Sequence, residues 1–554
     1  MNSIRNAYIY LVCFISVQIV TWATIFLGRN LLGAELDRDL LASQIAVLII
    51  GGPLLLIHWL WAQRLARQDS AERQTLVRAL YLYASLTFFL IPFLFQAYTA
   101  LNDVLYWLFG RLTNEPDPLK TFLETIATMV ILGGLFAYHD YVRREDENDA
   151  QSPVSHLDLQ RLYRWFFSVA GLVVGVNALV SLLNQIWQTV DNRAGGDNQA
   201  AILDSVTTLL LALGLWVLFW RWNQRSFEQD KPGERASVLR KLVLYLIVFF
   251  AALTAVVTTT ILTSNLIQRL LGVNNTIYWD ELIPPLVVAT AVWVYHTYVL
   301  RQDTQVASEG TQQAGLRRLY WYTLAAIGLA AVLTGISGQL SLLIRSITNE
   351  VSAIGLREEV SWYLAATIIG LTVWLWPWRN IQRGTQQTNE SGLIERRSQI
   401  RRLYLFGYLF GATMTILGSG VYLVYRLLTQ ILGVTSTSSL FSDVAHALAY
   451  ALLATAVVFY HGWLLRQDQA KTQQWLAKQY AQLQVIMLDH PADAELSQTL
   501  ATTLHKAIPG LQVALFKLPI DSPTAVAHQA EEQPPTPLAT LATADIIIGS
   551  WRTL

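Results

Sequence analysis

Twelve apolar stretches follow one another between residues 7 and 465, each close to or above the ~20 residues that a helix needs to cross the hydrocarbon of a bilayer. They lie near 7–28, 41–61, 79–109, 121–142, 162–190, 201–222, 242–271, 281–300, 319–347, 359–378, 403–432 and 443–465. Only helix fits such runs, because a backbone in hydrocarbon must satisfy its own N–H and C=O groups, and the two-residue alternation of a membrane barrel is absent. Composition agrees, since 53% of residues are hydrophobic and 14% charged, where soluble chains carry about 25% charged. The chain reads as a polytopic membrane protein. Its first run follows Arg5, is longer than a signal-peptide core and lacks a small-x-small cleavage site, so it is expected to remain as a span.

The runs repeat. Several open on a basic-Leu-Tyr motif, as in Gln160-Arg161-Leu162-Tyr163, Arg317-Arg318-Leu319-Tyr320-Trp321-Tyr322 and Arg401-Arg402-Leu403-Tyr404. Anchoring on that Tyr gives Tyr8, Tyr81, Tyr163, Val243, Tyr320 and Tyr404, 73 to 84 residues apart, which is a hairpin of two helices repeated six times. Closing motifs sort the hairpins into two kinds: Tyr138-His139, Tyr295-His296 and Tyr460-His461 end the even ones, and Trp59/Trp61, Trp220/Trp222 and Trp376/Trp378 end the odd ones. The longer period, with His-to-His steps of 157 and 165 residues, also places Gly110, Gly272 and Gly433 after the third helix of each unit. The predicted fold is all-α transmembrane, twelve helices as six hairpins grouped into three tandem four-helix units (1–150, 151–308 and 309–467), followed by a cytoplasmic helical linker and small tail over 468–554. That tail is expected to be α+β or partly disordered. It should hold a polar helix leaving the membrane from about Arg466, a helix over Ala494–Ala507, a turn at Pro509-Gly510, a strand over 511–518, a flexible Pro-, Glu- and Ala-rich stretch over 519–537, and a last short element around Ile546-Ile547-Ile548.

Positive charge sets the expected orientation, because Lys and Arg are retained on the cytoplasmic side. The five connections from a closing to an opening motif hold 22 Lys and Arg, and the six loops at the opposite ends hold seven. Both termini are therefore predicted to be cytoplasmic, in a bacterial inner (plasma) membrane. Net charge is zero, with 39 basic and 39 acidic residues, so no field favours nucleic acid. A single cysteine, Cys13, excludes an intrachain disulfide.

The basic-Leu-Tyr opening and the Tyr-His close resemble the bacterial membrane family catalogued as domain of unknown function 5671, whose unit is four helices; the resemblance covers about 1–467. The weakest copy is Arg240-Lys241-Leu242-Val243, where Val replaces Tyr. The resemblance implies a multi-pass membrane protein with internal repeats and carries no activity, cofactor or partner.

Three units at one depth would bring His139, His296 and His461 to a common level, and three histidines can ligate zinc. Depth does not encode convergence, however, and a His among aromatics one turn before a basic residue suits the headgroup layer, where the imidazole would reach water. At the other ends of the helices, Arg29, Arg111, Arg193, Arg269, Arg345 and Arg426 face Glu124, Asp204, Asp280 or Glu281, Glu358 or Glu359, and Asp443. Ion pairs within hairpins explain these better than an anion vestibule. The helix middles carry no Asp, Glu, Lys, Arg or His, unlike most ion-coupled transporters. Small residues at spacing four, Gly171 with Gly175 and Gly407 with Gly411, are expected at close helix contacts. No Walker loop, nucleophile elbow, catalytic carboxylate pair or dinucleotide fingerprint occurs, so no catalytic or cofactor-binding residue is assigned and an enzyme is disfavoured. The reading that remains is an integral-membrane interaction, sensory or scaffold module in the lipid bilayer, its tail offered to a cytoplasmic protein partner. The alternative is a channel or transporter for a neutral or apolar solute.

Overall fold

The computed structural model describes residues 2–32, 37–111, 117–148, 154–191, 198–229, 233–306, 310–433, 439–489, 494–508, 510–517 and 544–549. Among these are twelve helices long and apolar enough to cross a membrane. They are α1 (Asn2–Leu32), α2 (Arg38–Gln68), α4 (Leu76–Leu108), α5 (Pro118–Asn148), α6 (Val154–Val190), α7 (Asn198–Glu228), α8 (Val238–Leu270), α9 (Trp279–Val306), α10 (Thr311–Ile347), α11 (Ala353–Gln386), α13 (Gln399–Ile431) and α14 (Leu440–Tyr480). Two short helices, α3 (Ser70–Arg73) and α12 (Glu390–Arg397), lie in the connections between hairpins, and α15 (Ala494–Ala507) lies in the tail. The spans pair as hairpins, in three successive groups of four. The chain divides into two compact bodies, Met1–Leu262 with Asn275–Arg317, and Thr263–Asn274 with Arg318–Leu554.

Local chemistry explains the element ends. Asp37, Ser352 and Ser439 cap α2, α11 and α14 by accepting the backbone N–H three residues on. After the third helix of each group the chain turns through a left-handed residue, Gly110 (φ 68°), Gly272 (φ 75°) and Gly433 (φ 69°). The turn lets the next amide reach back, Arg111 N–H to the Tyr106 carbonyl at 2.9 Å and Val273 N–H to Gln268 at 2.9 Å, which satisfies a terminal carbonyl as a Schellman motif does.

Packing repeats along with the sequence. In the first group Tyr10, Cys13, Trp59, Tyr81, Leu82 and Val142 form one buried cluster. In the third group Tyr322, Ala325, Trp378, Tyr404, Leu405 and Leu464 form its counterpart, position for position. Lipid tails are as apolar as these side chains, so close packing and polar contacts, more than water exclusion, hold the helices together. Gly171 makes the expected close contact: a Cβ there would lie 2.8 Å from the Trp216 backbone nitrogen across α6 and α7, and one at Gly328 would lie 2.5 Å from that of Trp374 across α10 and α11. Gly407 and Gly411 depart from the expectation, since neither has an atom within 4 Å of a built Cβ. They line an apolar groove of about 750 Å3 beside Tyr404, Tyr408 and Ala454.

Within the first body, the second four-helix group covers the third helix of the first. Tyr83 and Leu86 of α4 pack with Tyr163, Phe167 and Phe219 of α6 and α7. Polar contacts continue the seam, as Thr207 Oγ1 donates to Asn102 Oδ1 at 3.0 Å and Tyr106 OH to Asp204 Oδ1 at 3.0 Å.

The tail is a small parallel sheet of order β2-β1-β3, built from β1 (Gln484–Asp489), β2 (Gln512–Lys517) and β3 (Ile546–Ile548), with α15 as the crossover between β1 and β2. The expected helix, strand and Ile element are present, and the structure adds a central strand, β1, between α14 and α15. Residues 519–537 lie outside the described residues, as do Arg193 and Pro509.

Candidate functional site

The polar chemistry of the membrane helices gathers where the connections between hairpins lie, and it repeats. Near the start of the third helix of each group an arginine is nearly sealed from solvent: Arg78 at 1%, Arg240 at 2% and Arg401 at 0% exposure. Each meets an aspartate in the C-terminal half of the fourth helix in one bidentate geometry. Nε and Nη2 donate to the two carboxylate oxygens at 2.6 and 3.1 Å for Arg78–Asp146, 2.8 and 3.0 Å for Arg240–Asp303, and 2.5 and 3.1 Å for Arg401–Asp468. A planar guanidinium matches a carboxylate in this way and lysine would not.

The preceding hairpin completes the clasp. Arg78 also donates to Tyr10 OH at 3.0 Å and Gln63 Oε1 at 3.3 Å, and Arg240 to Gln224 Oε1 at 3.0 Å. Arg401 donates to Tyr322 OH at 3.2 Å. Trp165 stands in the second group where the others have that Tyr, and the Arg240 guanidinium lies 6.0 Å from its ring centre and 4.1 Å from that of Phe227. A second charge pair joins the first helix of each group to the connection before the third: Arg5–Glu72 at 2.6 Å, Arg161–Glu234 at 3.3 Å and Arg318–Glu395 at 2.9 Å. Arg164 also pairs with Glu234. A third tie is neutral, the indole N–H of Trp59, Trp220 and Trp378 donating to Tyr138, Tyr295 and Tyr460 OH at 2.7, 2.7 and 2.5 Å. So in each closing Trp pair or its neighbourhood one indole turns inward, while Trp61 and Trp376 remain exposed.

The sequence holds this constellation as Glu-x5-Arg between the second and third helices (72 and 78, 234 and 240, 395 and 401) and His-x6-Asp at the end of the fourth (139 and 146, 296 and 303, 461 and 468). Anchoring on Tyr81, Val243 and Tyr404 already puts the three arginines in register, each three residues before the anchor. What that register does not show is which carboxylate each arginine meets.

The three histidines stand about two helical turns before the aspartates on the same helices, and the structure corrects the expectation that they reach water. His139, His296 and His461 are buried, each with Nδ1 2.8 to 2.9 Å from the carbonyl four residues back (Leu135, Val292 and Val457). Aromatic rings surround them: Trp59, Tyr81 and Phe89 around His139, Trp220 beside His296, Tyr408 stacked on His461 at 5.2 Å. Tyr81 OH and His139 Nε2 lie 3.1 Å apart. Each imidazole is thus enclosed within its own four-helix group. Among the described residues, no three His, Cys, Asp or Glu side chains are placed to hold a metal ion.

At the opposite ends of the helices Arg345–Glu359 and Arg426–Asp443 pair within their hairpins, the latter at 2.5 Å. Arg29 instead donates to Gln96 and Thr128, each at 3.2 Å. Asp204 and Asp280 accept from Tyr106 and Gln188 of other helices at 3.0 Å. What these saturated clasps do chemically is fasten helices, because both carboxylate oxygens and the guanidinium face of each Arg are already engaged.

No curated protein and no solved structure matches the chain. A family model does, in three tandem segments, residues 6–134, 161–298 and 318–456, each spanning one four-helix group, and its description is domain of unknown function. With most of its length covered by these three copies, the chain belongs to the DUF5671 family of multi-pass membrane proteins.

Proposed function

We propose that this protein is a membrane scaffold with a reporting tail, both termini in the cytoplasm of a cell bounded by the plasma membrane it occupies, the tail engaging a cytoplasmic protein partner. The observation that carries this reading is the continuity of α14, one helix of 41 residues from Leu440 to Tyr480 that leaves the last hairpin and ends in the tail. Asp468, midway between membrane and tail on that helix, is held by Arg401, so α14 is gripped where it departs. The tail is seated on its last turn. Gly510 has φ +95°, and a Cβ there would come 2.5 Å from the Ala477 carbonyl oxygen, a fit that glycine alone permits. A displacement of α14 within the membrane reaches the sheet without passing through a loose linker.

Hydrogen exchange on the full-length protein in lipid nanodiscs tests the link. Asp468→Asn is expected to raise exchange in residues 469–480 and, through the seat, in β1 and α15. Faster exchange that stops before Tyr480 would show that the tail is mechanically independent and sink the reporting role. Orientation has its own measurement. Cysteines placed singly at Gly272 to Asn275 should react with an impermeant maleimide from outside intact cells, and those at Gly310 to Gln313 should not; the reverse pattern would invert the proposed topology.

A further inference from the structure

The opening Tyr occupies an equivalent place on the first helix of each four-helix group, yet its surroundings differ: Tyr163 is 6% exposed and Tyr320 8%, whereas Tyr8 is 55% exposed. For Tyr163 the cause is visible, since α4 of the preceding group covers it, with Tyr83 at 5.4 Å between ring centres. The first group differs, as Tyr8 lies against His58 of its own hairpin at 5.7 Å between ring centres. Its matching face on α1 and α2, formed by Tyr8, Leu11, Ile15, Ile50, Leu54 and Trp61, is exposed throughout.

The other half of that seam is open at the opposite end of the chain. On α4 the covering face runs Tyr83, Leu86, Leu94, Tyr98 and Asn102, and its first two members are buried against the second group. Val248, the counterpart of Leu86 on α8, is buried as well. On α13 the same positions, counted from the clasp arginine, are Phe406, Leu409, Leu417, Val421 and Tyr425. Phe406, Leu417, Val421 and Tyr425 are all exposed, and α13 and α2 are the two least buried spans of the twelve.

From this we propose that the protein associates head to tail with a second copy of itself in the membrane, α13 of one copy packing on α1 and α2 of the next as α4 packs on α6 and α7 within the chain. The contact is heterologous, so successive copies form a closed ring or a row in the bilayer plane. Its occupant is argued from continuity with an existing seam: a second copy presents on α1 and α2 the positions equivalent to those that α4 packs on inside the molecule.

Cysteine cross-linking in native membranes tests it, in a Cys13→Ala background, since Ala325 fills the corresponding core position. The control is Tyr98→Cys with Leu211→Cys, two residues that line one groove of the internal seam and should join within a chain. The matching pair across copies is Val421→Cys with Ile50→Cys. Carried on two differently tagged, co-expressed chains, it should give a disulfide-linked dimer holding both tags, and neither substitution alone should. With both substitutions in one chain, oxidation should give a ladder of dimers and larger species. A linked monomer from the doubly substituted chain without mixed dimers would mean that the chain's own ends meet. Dimers from Val421→Cys alone would mean a symmetric α13 contact, and no product beside a working control would mean that lipid covers both faces; any of the three overturns the proposal.

Discussion

Asp146→Ala is expected to lower the stability of the folded protein by about 3–5 kcal/mol, the range found when one member of a buried ion pair is removed and the other is left uncompensated. Arg78 would keep only Tyr10 and Gln63, two neutral partners, at a position 1% exposed. The double variant Arg78→Met with Asp146→Leu should recover most of that loss, because it removes both desolvated charges and fills the same space with apolar side chains. Thermal unfolding in detergent, followed by fluorescence-detected size exclusion, would compare the three proteins. Near wild-type stability in Asp146→Ala would show that the pair is incidental, and a double variant as weak as the single one would show that the clasp's geometry matters beyond its charges.

Gly328→Val is expected to be damaging for a different reason. The added carbons would fall within 2.5 to 2.8 Å of the Trp374 backbone, which belongs to a long helix and cannot step aside as a side-chain tip could. Forcing α10 from α11 should cost about 1–3 kcal/mol or more, since overpacking strains the backbone and opens the contacts on either side. Gly407→Ala and Gly411→Ala meet nothing within 4 Å and should be neutral or slightly stabilising, as alanine holds a helix better than glycine by about 1 kcal/mol. The same heated size-exclusion assay separates the two groups. Equal losses at Gly328 and Gly407 would mean that glycine serves helix flexibility in both places rather than close approach in one.

These contrasts show where the sequence could be read and where it could not. Span number, hairpin pairing and the grouping in fours follow from run length and motif spacing, both properties of position along the chain. Depth is legible for the same reason, which is why His139, His296 and His461 were expected at matching levels. Which way a helix face turns depends on its neighbours, and here the neighbours put Trp59, Tyr81 and Trp220 where water was expected. The clasps are half visible: Arg240 and Arg401 stand in the opening motifs, but their aspartates lie 63 and 67 residues later on another helix. Gly171 and Gly407 looked alike in sequence and differ in the structure because only the first has a helix lying against it. In the tail, Val485 to Leu488 is a run of four buried apolar residues directly after a long helix, too short to distinguish a continuing helix from the buried central strand it forms.

The way the polar ties are distributed sets the quantum in which such a chain can change length. Each Arg–Asp clasp closes inside one even hairpin, but Tyr10 and Gln63, or Gln224, reach it from the odd hairpin before, and Trp59, Trp220 and Trp378 bond forward to the even hairpin after. The pairs Arg5–Glu72, Arg161–Glu234 and Arg318–Glu395 also stay within one group. Insertion or loss of a single hairpin would strand a buried arginine without its outer partners or an indole without its phenol. Insertion or loss of four helices together leaves all of these ties intact and adds or removes one seam between groups, so a chain of this architecture can be extended by whole fours at a smaller energetic penalty than by twos.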